Sequence, residues 1–287
     1  MIRSQIDEDL VALTRDACAR LALPRIAAVV LPEKMLSESE ANAKHDKFGL
    51  VVLDDGSAGF FYRLLDVDTD KVAHYRSLAT GSAGKQITDT LQDLGSDDVF
   101  VRGIALGAIN ASTAATYSKT GFEPPVQTKA EITKTTNAKV PQKIGMVGYF
   151  AQQARRLVQQ GNQLAVLELN EQLAQCTDKL EVTSNPQVLK GCDVVYCTAS
   201  TLINNTLGSL LEIFDPETKV ELIGPTAGCF PDPLFSRGVD CVGGSVVLDT
   251  ETAIERVRAG KPWLESARKY SLTKANYPGY DALLTTS

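Results

Sequence analysis

A short apolar run that ends in a cluster of polar side chains constrains the fold of this chain more than any other stretch. Residues 193–197 read D-V-V-Y-C, which is typical of a strand buried on both faces of a parallel sheet. Six hydroxyl or amide side chains follow within nine residues: Thr198, Ser200, Thr201, Asn204, Asn205 and Thr206. Leucines then recur at helical spacing. We therefore predict a buried strand, a polar turn and a helix.

The polar cluster has two interpretations. In an open parallel sheet, ligands bind outside the carboxyl ends of the strands, so these side chains are placed to hold a small molecule. Alternatively, Ser200 or Thr201 caps the following helix and Asn204 satisfies the turn. Capping uses one or two such residues, whereas this stretch has six. Six polar side chains are more than capping requires, which favours a ligand site.

The second half of the chain repeats a pattern of short apolar runs separated by helical or polar segments. We predict strands at 143–148, 163–169, 179–183, 193–197, 219–223 and 239–247. A doubly wound sheet places the fourth of these strands beside the first, across a switch point. The loop at Gly148 then faces the loop at 198–206, and the turn at 224–229 closes the same crevice. The tail beyond residue 260 has no assignment.

The first half has a different pattern. A helical stripe at 5–22 precedes a strand at 25–31, and two β-rich runs flank the turn D-D-G-S at 54–57. A long helix rich in small residues follows at 99–118, with Asn110 inside it. This half is therefore predicted to be a small antiparallel sheet with helices. The glycine-rich turn at 80–85 fits a helix end better than an anion cradle, because it is not a phosphate-binding motif.

Between the two halves, residues 126–142 lose all periodicity and contain prolines, which is typical of a linker. We predict an α/β protein with an N-terminal α+β domain at 1–125 and a parallel-sheet domain at 143–287. The acidic segment 32–46 is expected to be a loop or a short helix.

Composition excludes several classes of function. A formal net charge of −6 and a pI near 5.1 argue against a nucleic-acid binder. No apolar run of about 18 residues is visible, so no membrane span is expected. The acidic N-terminus does not resemble a signal peptide, which predicts a cytoplasmic protein. The two histidines, His45 and His74, exclude a histidine-rich metal site.

Several motifs resemble those of one protein family. The string C-T-A-S-T-L-I-N-N-T at 197–206 is similar to the T-G-T-T-L-I-N-G-T signature of the putative heavy-metal chelation family, whose function is unknown. Further similarity lies in V-G-Y-F, L-I-G-P-T, L-F-S-R-G-V-D and G-I-A-L-G-A-I-N-A, at 147–150, 222–226, 234–240 and 103–111. The resemblance implies a domain like the enolase N-terminal domain, followed by a Rossmann-like domain. It also implies a homodimer and a cleft between the domains that Asn110 lines.

The predicted ligand crevice combines the strand ends with Asn110. Its members are Gly148, Thr198, Ser200, Thr201, Asn204 and Thr226, with Glu168 at one side and Asn110 reaching in from the first domain. Gly148 and Glu168 are 20 residues apart, as in dinucleotide-binding folds, but the turn G-x-x-G-Y-F-A breaks the dinucleotide fingerprint. We predict binding or chelation of a heavy metal, or of a small molecule that carries a metal. The alternative is a nucleotide-like or pterin-like ligand without metal.

Metal and acid–base chemistry have weaker candidates. Cys197 and Cys229 follow neighbouring strands and could converge with Asp232 on a divalent or heavy metal ion. The alternative is that the six scattered cysteines are buried thiols. Candidates for a general acid or base, none with a diagnostic partner, are Glu168, Glu38, Glu40 and Lys85.

Limited proteolysis tests the domain boundary. The first cut is expected within residues 126–142 and should leave a folded C-terminal fragment, because exposed segments without periodic structure are cleaved first. Mass spectrometry of the early fragments locates the cut. A first cut within 193–224 would show that the boundary is misplaced.

Overall fold

The computed structural model describes residues 4–34, 47–63, 71–126 and 141–285. The first half contains helices α1 (Gln5–Leu21), α2 (Val72–Thr80), α3 (Ile87–Thr90) and α4 (Val99–Thr120), and strands β1 (Ile26–Val30), β2 (Phe48–Leu53) and β3 (Ala58–Tyr62). The strands of the second half are β4 (Lys143–Val147), β5 (Gln163–Leu167), β6 (Gln175–Cys176), β7 (Leu180–Thr183), β8 (Val194–Thr198), β9 (Lys219–Ile223), β10 (Cys241–Val247) and β11 (Ala267–Thr273). Its helices are α5 (Ala151–Gln159), α6 (Ser200–Ile203), α7 (Leu207–Leu211), α8 (Asp232–Phe235), α9 (Thr250–Arg258) and α10 (Tyr280–Thr285).

The first three strands form an antiparallel sheet in the order β1-β2-β3. The predicted hairpin is confirmed, with Leu50 of β2 opposite Phe60 of β3. Helix α4 packs directly onto β3 at Gly59, where an added Cβ would lie 2.3 Å from the backbone nitrogen of Ala111. Only glycine permits this approach, so Gly59 sets the distance between the helix and the sheet.

Helix α4 is the core helix of the first half. The Asp98 carboxylate accepts a hydrogen bond of 2.8 Å from the Phe100 backbone N–H and caps its start, and Gly121, at φ 70°, ends it. Contrary to our expectation from the sequence, this helix is long and apolar enough to cross a membrane. However, 83% of the most apolar 18-residue stretch of this helix is buried inside the protein, as in a core helix. Its small residues pack within the protomer, so they give no argument for the predicted homodimer.

The remaining strands form one sheet in the order β11-β10-β9-β8-β4-β5-β7-β6. The strands from β10 to β7 are parallel, and β11 and β6 add antiparallel edges. The predicted neighbours β4 and β8 are confirmed, so the switch point lies between them. The predicted class, a small antiparallel sheet with helices followed by a larger, mostly parallel sheet, is also confirmed. Sequence analysis missed the two edge strands.

The C-terminal tail, which had no assignment, closes the large sheet and docks on α1. The Tyr270 ring on β11 covers Gly244, where an added Cβ would lie 2.4 Å from the ring. The Asp232 carboxylate accepts hydrogen bonds of 2.8 Å from the Tyr277 hydroxyl and from the Tyr280 backbone N–H. The Tyr280 hydroxyl in turn donates to Asp16 Oδ2 at 2.8 Å. The tyrosines of the tail therefore anchor it to the fold.

The two halves are packed together. Ala253 and Val257 of α9, together with Trp263, cover the outer face of the small sheet, where Phe60 stacks on Trp263 at 4.1 Å between ring centroids. The C-terminal half thus supplies a layer to the first sheet. Residues 127–140, which make up most of the predicted linker, lie outside the described residues, and the domain boundary stays a prediction. Glu38, Glu40 and His45 also lie outside them.

A buried ion pair, which sequence analysis did not find, joins three helices. Arg102 on α4 and Asp7 on α1 are 4% and 3% exposed, and Arg102 Nη1 lies 3.2 Å from Asp7 Oδ2. The same guanidinium donates to the carbonyls of Ile203 (2.7 Å), Leu202 (3.0 Å) and Leu94. Burial raises the pKa of the Asp7 carboxyl, although the Arg102 charge lowers it. Every donor on this buried cation is aimed at an acceptor, which burial of a charge requires.

Replacing Asp7 with alanine is expected to lower the free energy of unfolding by about 3–5 kcal/mol, because the Arg102 charge stays buried without its carboxylate. Asp9→Ala is the matched control on the same helix. Asp9 pairs with Arg237 at 2.6 Å, but its side chain is 40% exposed, so its loss should lower that free energy by less than about 1 kcal/mol. Urea unfolding of both variants measures the difference. Equal losses would mean that the buried pair does not hold the three helices together.

Candidate functional site

Two of the predicted site residues meet at the switch point. Gly148, directly after β4, has a φ of 83°, which favours glycine. A Cβ at Gly148 would lie 3.4 Å from Thr198 Cγ2 at the end of β8, so these residues are neighbours across the switch point. The carboxyl ends of β4 and β8 therefore form the edge at which the ligand crevice was predicted.

The polar side chains of the 198–206 turn are mostly bonded to one another. The Thr201 hydroxyl donates to the Thr198 carbonyl at 2.7 Å, and the Thr198 hydroxyl donates to Ser200 Oγ at 3.2 Å. Asn204 Oδ1 accepts from the Thr206 hydroxyl at 2.7 Å and from the Thr206 backbone N–H at 3.3 Å. Ser200 and Thr201 lie inside α6, whose N-cap is Ala199 without a side-chain cap, so neither residue caps this helix. The bonds of Asn204 agree with its expected role in satisfying the turn.

Glu168 is also used by the fold. Its Oε2 accepts from the Tyr149 backbone N–H at 2.9 Å, and its Oε1 accepts from the Asn170 backbone N–H at 3.0 Å. The carboxylate thus closes the loop after β4, at the place where a dinucleotide-binding fold would use it to hold a ribose. Lys85 is exposed and directly follows the turn at 81–84, which ends α2.

Asn110 and Thr226 come together where the two halves meet. Both Asn110 N–H groups donate at 2.8 Å, one to the Phe60 carbonyl on β3 and one to the Thr226 carbonyl in the turn after β9. The Tyr62 backbone N–H donates to Thr226 Oγ1 at 2.9 Å. Asn110 and Thr226 are 2% and 1% exposed. Together they fasten the edge strand of the small sheet to the large sheet.

A cavity lies beside this contact, and we call it the interface cavity. Its interior is about 10 Å³, which is room for about one water molecule, and the wider empty space of about 280 Å³ includes open solvent. The first half lines it with Ala58, Gly59, Phe60, Asn110, Ala114 and Tyr117, and the second half lines it with Pro225, Gly228, Ser245, Val246 and Tyr270. Pro225 and Gly228 belong to the predicted closing turn at 224–229. The same turn contacts the polar turn after β8, since a Cβ on Gly224 would lie 3.1 Å from Ala199 Cβ.

Two residues that line the interface cavity each carry a buried polar atom without a hydrogen-bond partner among the described residues. Of the seven buried side-chain atoms of this kind, Asn110 Oδ1 and the Tyr117 hydroxyl are the two that belong to residues of the cavity lining. An unpaired polar group in a protein interior costs about 1–3 kcal/mol. Burial raises the pKa of the Tyr117 hydroxyl well above its ordinary value, and Tyr270, Tyr277 and Asp232 raise it further. The Tyr117 hydroxyl therefore keeps its proton and can donate.

Sequence analysis found Asn110 but missed Tyr117. The two residues are seven positions apart on α4, which places them on one face of the helix, with Ala114 between them. An asparagine and a tyrosine at this spacing in an otherwise apolar helix could have indicated a shared polar contact.

The described residues give no support to the predicted metal site. Cys197 and Cys229 are completely buried, and burial raises the pKa of each thiol to about 12, so both stay protonated. The Asp232 carboxylate accepts hydrogen bonds from the C-terminal tail. Within the described ranges, no three His, Cys, Asp or Glu side chains lie close enough to hold a metal ion. The convergence of Cys197, Cys229 and Asp232 stays a prediction, and the apolar core around the two thiols does not favour it.

Comparisons with known proteins agree with this architecture. The chain belongs to the family described as putative heavy-metal chelation, whose model matches residues 132–276, just over half of the chain. A crystal structure of a family member of unknown function from Desulfitobacterium hafniense is 18% identical, with a TM-score of 0.63 over 92% of this chain and 98% of that one. A second, from Pyrococcus horikoshii, is 17% identical, with a TM-score of 0.63 over 92% and 99%. These likenesses show the fold alone. No curated protein matches the chain.

Asn204→Ala separates the two interpretations of the polar turn. Removal of the Asn204 amide should lower the free energy of unfolding by about 0.5–1.5 kcal/mol, because the turn loses the hydrogen bonds that Asn204 Oδ1 accepts from Thr206. For a chain of this size, each kcal/mol corresponds to about 2–4 °C in Tm. Ser209→Ala, at an exposed position of α7, is the control and should leave Tm unchanged. An unchanged Tm in Asn204→Ala would revive the ligand interpretation.

Proposed function

We propose that this protein binds a small organic molecule over the open side of the interface cavity, whose water-sized interior admits one polar atom of that molecule, and that any metal it handles arrives coordinated to the molecule. The observation that carries this proposal is that Asn110 and Tyr117 line one cavity and that each has a buried polar atom, Oδ1 and the hydroxyl, without a partner among the described residues. Each unpaired buried group raises the free energy of the ligand-free protein, and a ligand that bonds both groups removes both costs. Such a ligand should therefore bind more tightly than its contact area alone would predict.

The orientation of the Asn110 amide supports a ligand acceptor at this place. The carbonyls of Phe60 and Thr226 can only accept hydrogen bonds, so the amide nitrogen must face them. Oδ1 is thereby held on the other side and cannot turn away from the cavity. Small residues keep the space beside it open. At Gly228, for example, an added Cβ would lie 3.1 Å from Asn110 Cβ and 3.5 Å from Oδ1.

The lining of the cavity favours an organic ligand over a bare metal ion. Its oxygen donors are a neutral amide, two phenols and the Ser245 hydroxyl, without a carboxylate or thiolate. Heavy metals prefer thiolate and imidazole ligands. The family description is compatible with this proposal if the metal belongs to a complex whose organic part the cavity holds. The lining also offers no group with a pKa near neutrality for general acid–base chemistry, so binding is better supported than catalysis.

We propose that the switch point forms a second wall of the site. Ala199, between Thr198 and Ser200, lies close to Gly224, and the turn at 224–229 lines the interface cavity with Pro225 and Gly228. A larger ligand could extend along this edge toward the partly exposed Ser200. The interface cavity remains the primary site, because the polar groups of the switch point already have partners.

Filling the cavity tests the proposal. Ala114→Leu adds three carbons to the cavity wall and leaves Asn110 and Tyr117 in place. Ala12→Leu, at an exposed position of α1, is the matched control. Native mass spectrometry should find a small organic mass on the wild type and on Ala12→Leu, and none on Ala114→Leu. Trace-metal analysis of the same samples should show that any metal disappears with the organic mass. Metal that stays on Ala114→Leu would contradict the proposal.

A further inference from the structure

The side-chain amide of Asn110 is fixed in one orientation. Its nitrogen donates at 2.8 Å to the backbone carbonyls of Phe60 and Thr226. Carbonyl oxygens only accept hydrogen bonds, so a flipped amide would lose both bonds and set its own oxygen against theirs. The amide oxygen, Oδ1, therefore stays on the side away from these two carbonyls, where it can only accept.

Gly228 places Oδ1 beside the interface cavity. Gly228 lines that cavity, and an added Cβ at Gly228 would lie 3.5 Å from Asn110 Oδ1. Since glycine has no side chain, no methyl group lies against the oxygen on this side. Asn110 is 2% exposed, and no described residue donates to Oδ1. The cavity is therefore the route by which a donor from outside the chain reaches this oxygen.

The size of the interior limits what can enter. About 10 Å³ is room for about one water-sized group, so a ring or a branched group stays outside. The end of an unbranched chain, such as a hydroxyl oxygen or an amine nitrogen, has the size of a water molecule. The rest of such a ligand lies over the open side of the cavity.

The electrostatics of the cavity favour a donor over an acceptor at this place. A carbonyl or carboxylate oxygen would meet Oδ1 with a like partial charge, and it would lose its hydrogen bonds to water without gaining another. Among the described residues, those that line the cavity include no Lys, Arg or His, so an anion would find no cation there. A hydroxyl or amine hydrogen, in contrast, forms the hydrogen bond that Oδ1 lacks.

We infer that the ligand inserts a hydrogen-bond donor, a hydroxyl or amine group at the end of an unbranched chain, which donates to Asn110 Oδ1. This inference rests on the proposed function and adds the chemical class of the group by which the ligand is recognised. Asn110 thereby determines specificity, because its fixed amide accepts a donor and rejects an acceptor of the same size.

Three linear probes test this class on the full-length protein in NMR titrations. n-Propanol and n-propylamine, which is a cation at neutral pH, each end in a donor, whereas propionitrile ends in an acceptor. The tighter of the two donor probes should bind at least about ten-fold more tightly than propionitrile, because the nitrile leaves Oδ1 unpaired. Which donor probe binds more tightly shows whether the natural group is neutral or charged. Propionitrile that binds as tightly as the tighter donor probe, or no binding by either donor probe, would overturn the inference.

Gly228→Ala tests the place of contact. The added methyl group stands about 3.5 Å from Oδ1 and obstructs its approach, so the tighter donor probe should bind about ten-fold more weakly. Gly208→Ala, on α7, is the matched control, because an added Cβ at Gly208 has no atom within 4 Å, and its affinity should equal that of the wild type. Thermal unfolding shows whether both variants fold. Unchanged affinity in a folded Gly228→Ala would contradict the inference, and if this variant does not fold, the probe comparison on the wild type decides.

The two proposals fail separately. If Ala114→Leu loses the co-purified organic mass while propionitrile binds the wild type as tightly as the donor probes, the cavity is the site and only the class of the inserted group is wrong. If Ala114→Leu retains the organic mass and binds the donor probes as the wild type does, the cavity is not the site, and the proposed function fails together with the inference.

Discussion

The side-chain amide of Asn110 is the contact on which the meeting of the two sheets depends. Its two N–H groups bond one carbonyl from the edge strand β3 and one from the turn after β9, each at 2.8 Å. Close approach of α4 to β3 at Gly59 brings the amide within reach of both. The nitrogen is therefore committed to the fold, whereas the oxygen has no partner among the described residues. The same residue joins the two sheets and lines the interface cavity.

A second buried polar group holds the same helix nearer its start. The Arg102 guanidinium, near the start of α4, bonds Asp7 and the carbonyls that end α6, which directly follows β8. Thus α4 is tied to the large sheet at two points, about two turns apart, by groups whose donors are satisfied. A helix fixed in this way gives the cavity a rigid wall, and a rigid wall lowers the entropic cost of binding.

The strand order and the switch point could be predicted from the sequence, whereas the site could only be predicted in part. Short apolar runs with valine and leucine specify buried parallel strands, and the handedness rules leave few ways to connect them. The site prediction treated hydroxyl and amide side chains as free, whereas several of them bond groups of the same turn. Thr201 and Asn204 bond groups two or three residues away, which is a local property that the spacing already contained. The position of the C-terminal tail could not be predicted for the opposite reason, since the partners of Tyr277 and Tyr280 are 45 or more positions away in the sequence.

By itself, the sequence determined the class of fold, the edge of the sheet where ligands are expected, and Asn110 as a polar residue in an apolar helix. Periodicity and turn chemistry act over a few residues, so a pattern within one segment can reveal them. Only the tertiary structure decided which polar atoms have partners. It paired Arg102 with Asp7, buried Cys197 and Cys229 as protonated thiols, and left Asn110 Oδ1 and the Tyr117 hydroxyl unpaired. Whether a buried group is satisfied depends on atoms brought together from distant parts of the chain, and no local pattern contains that information.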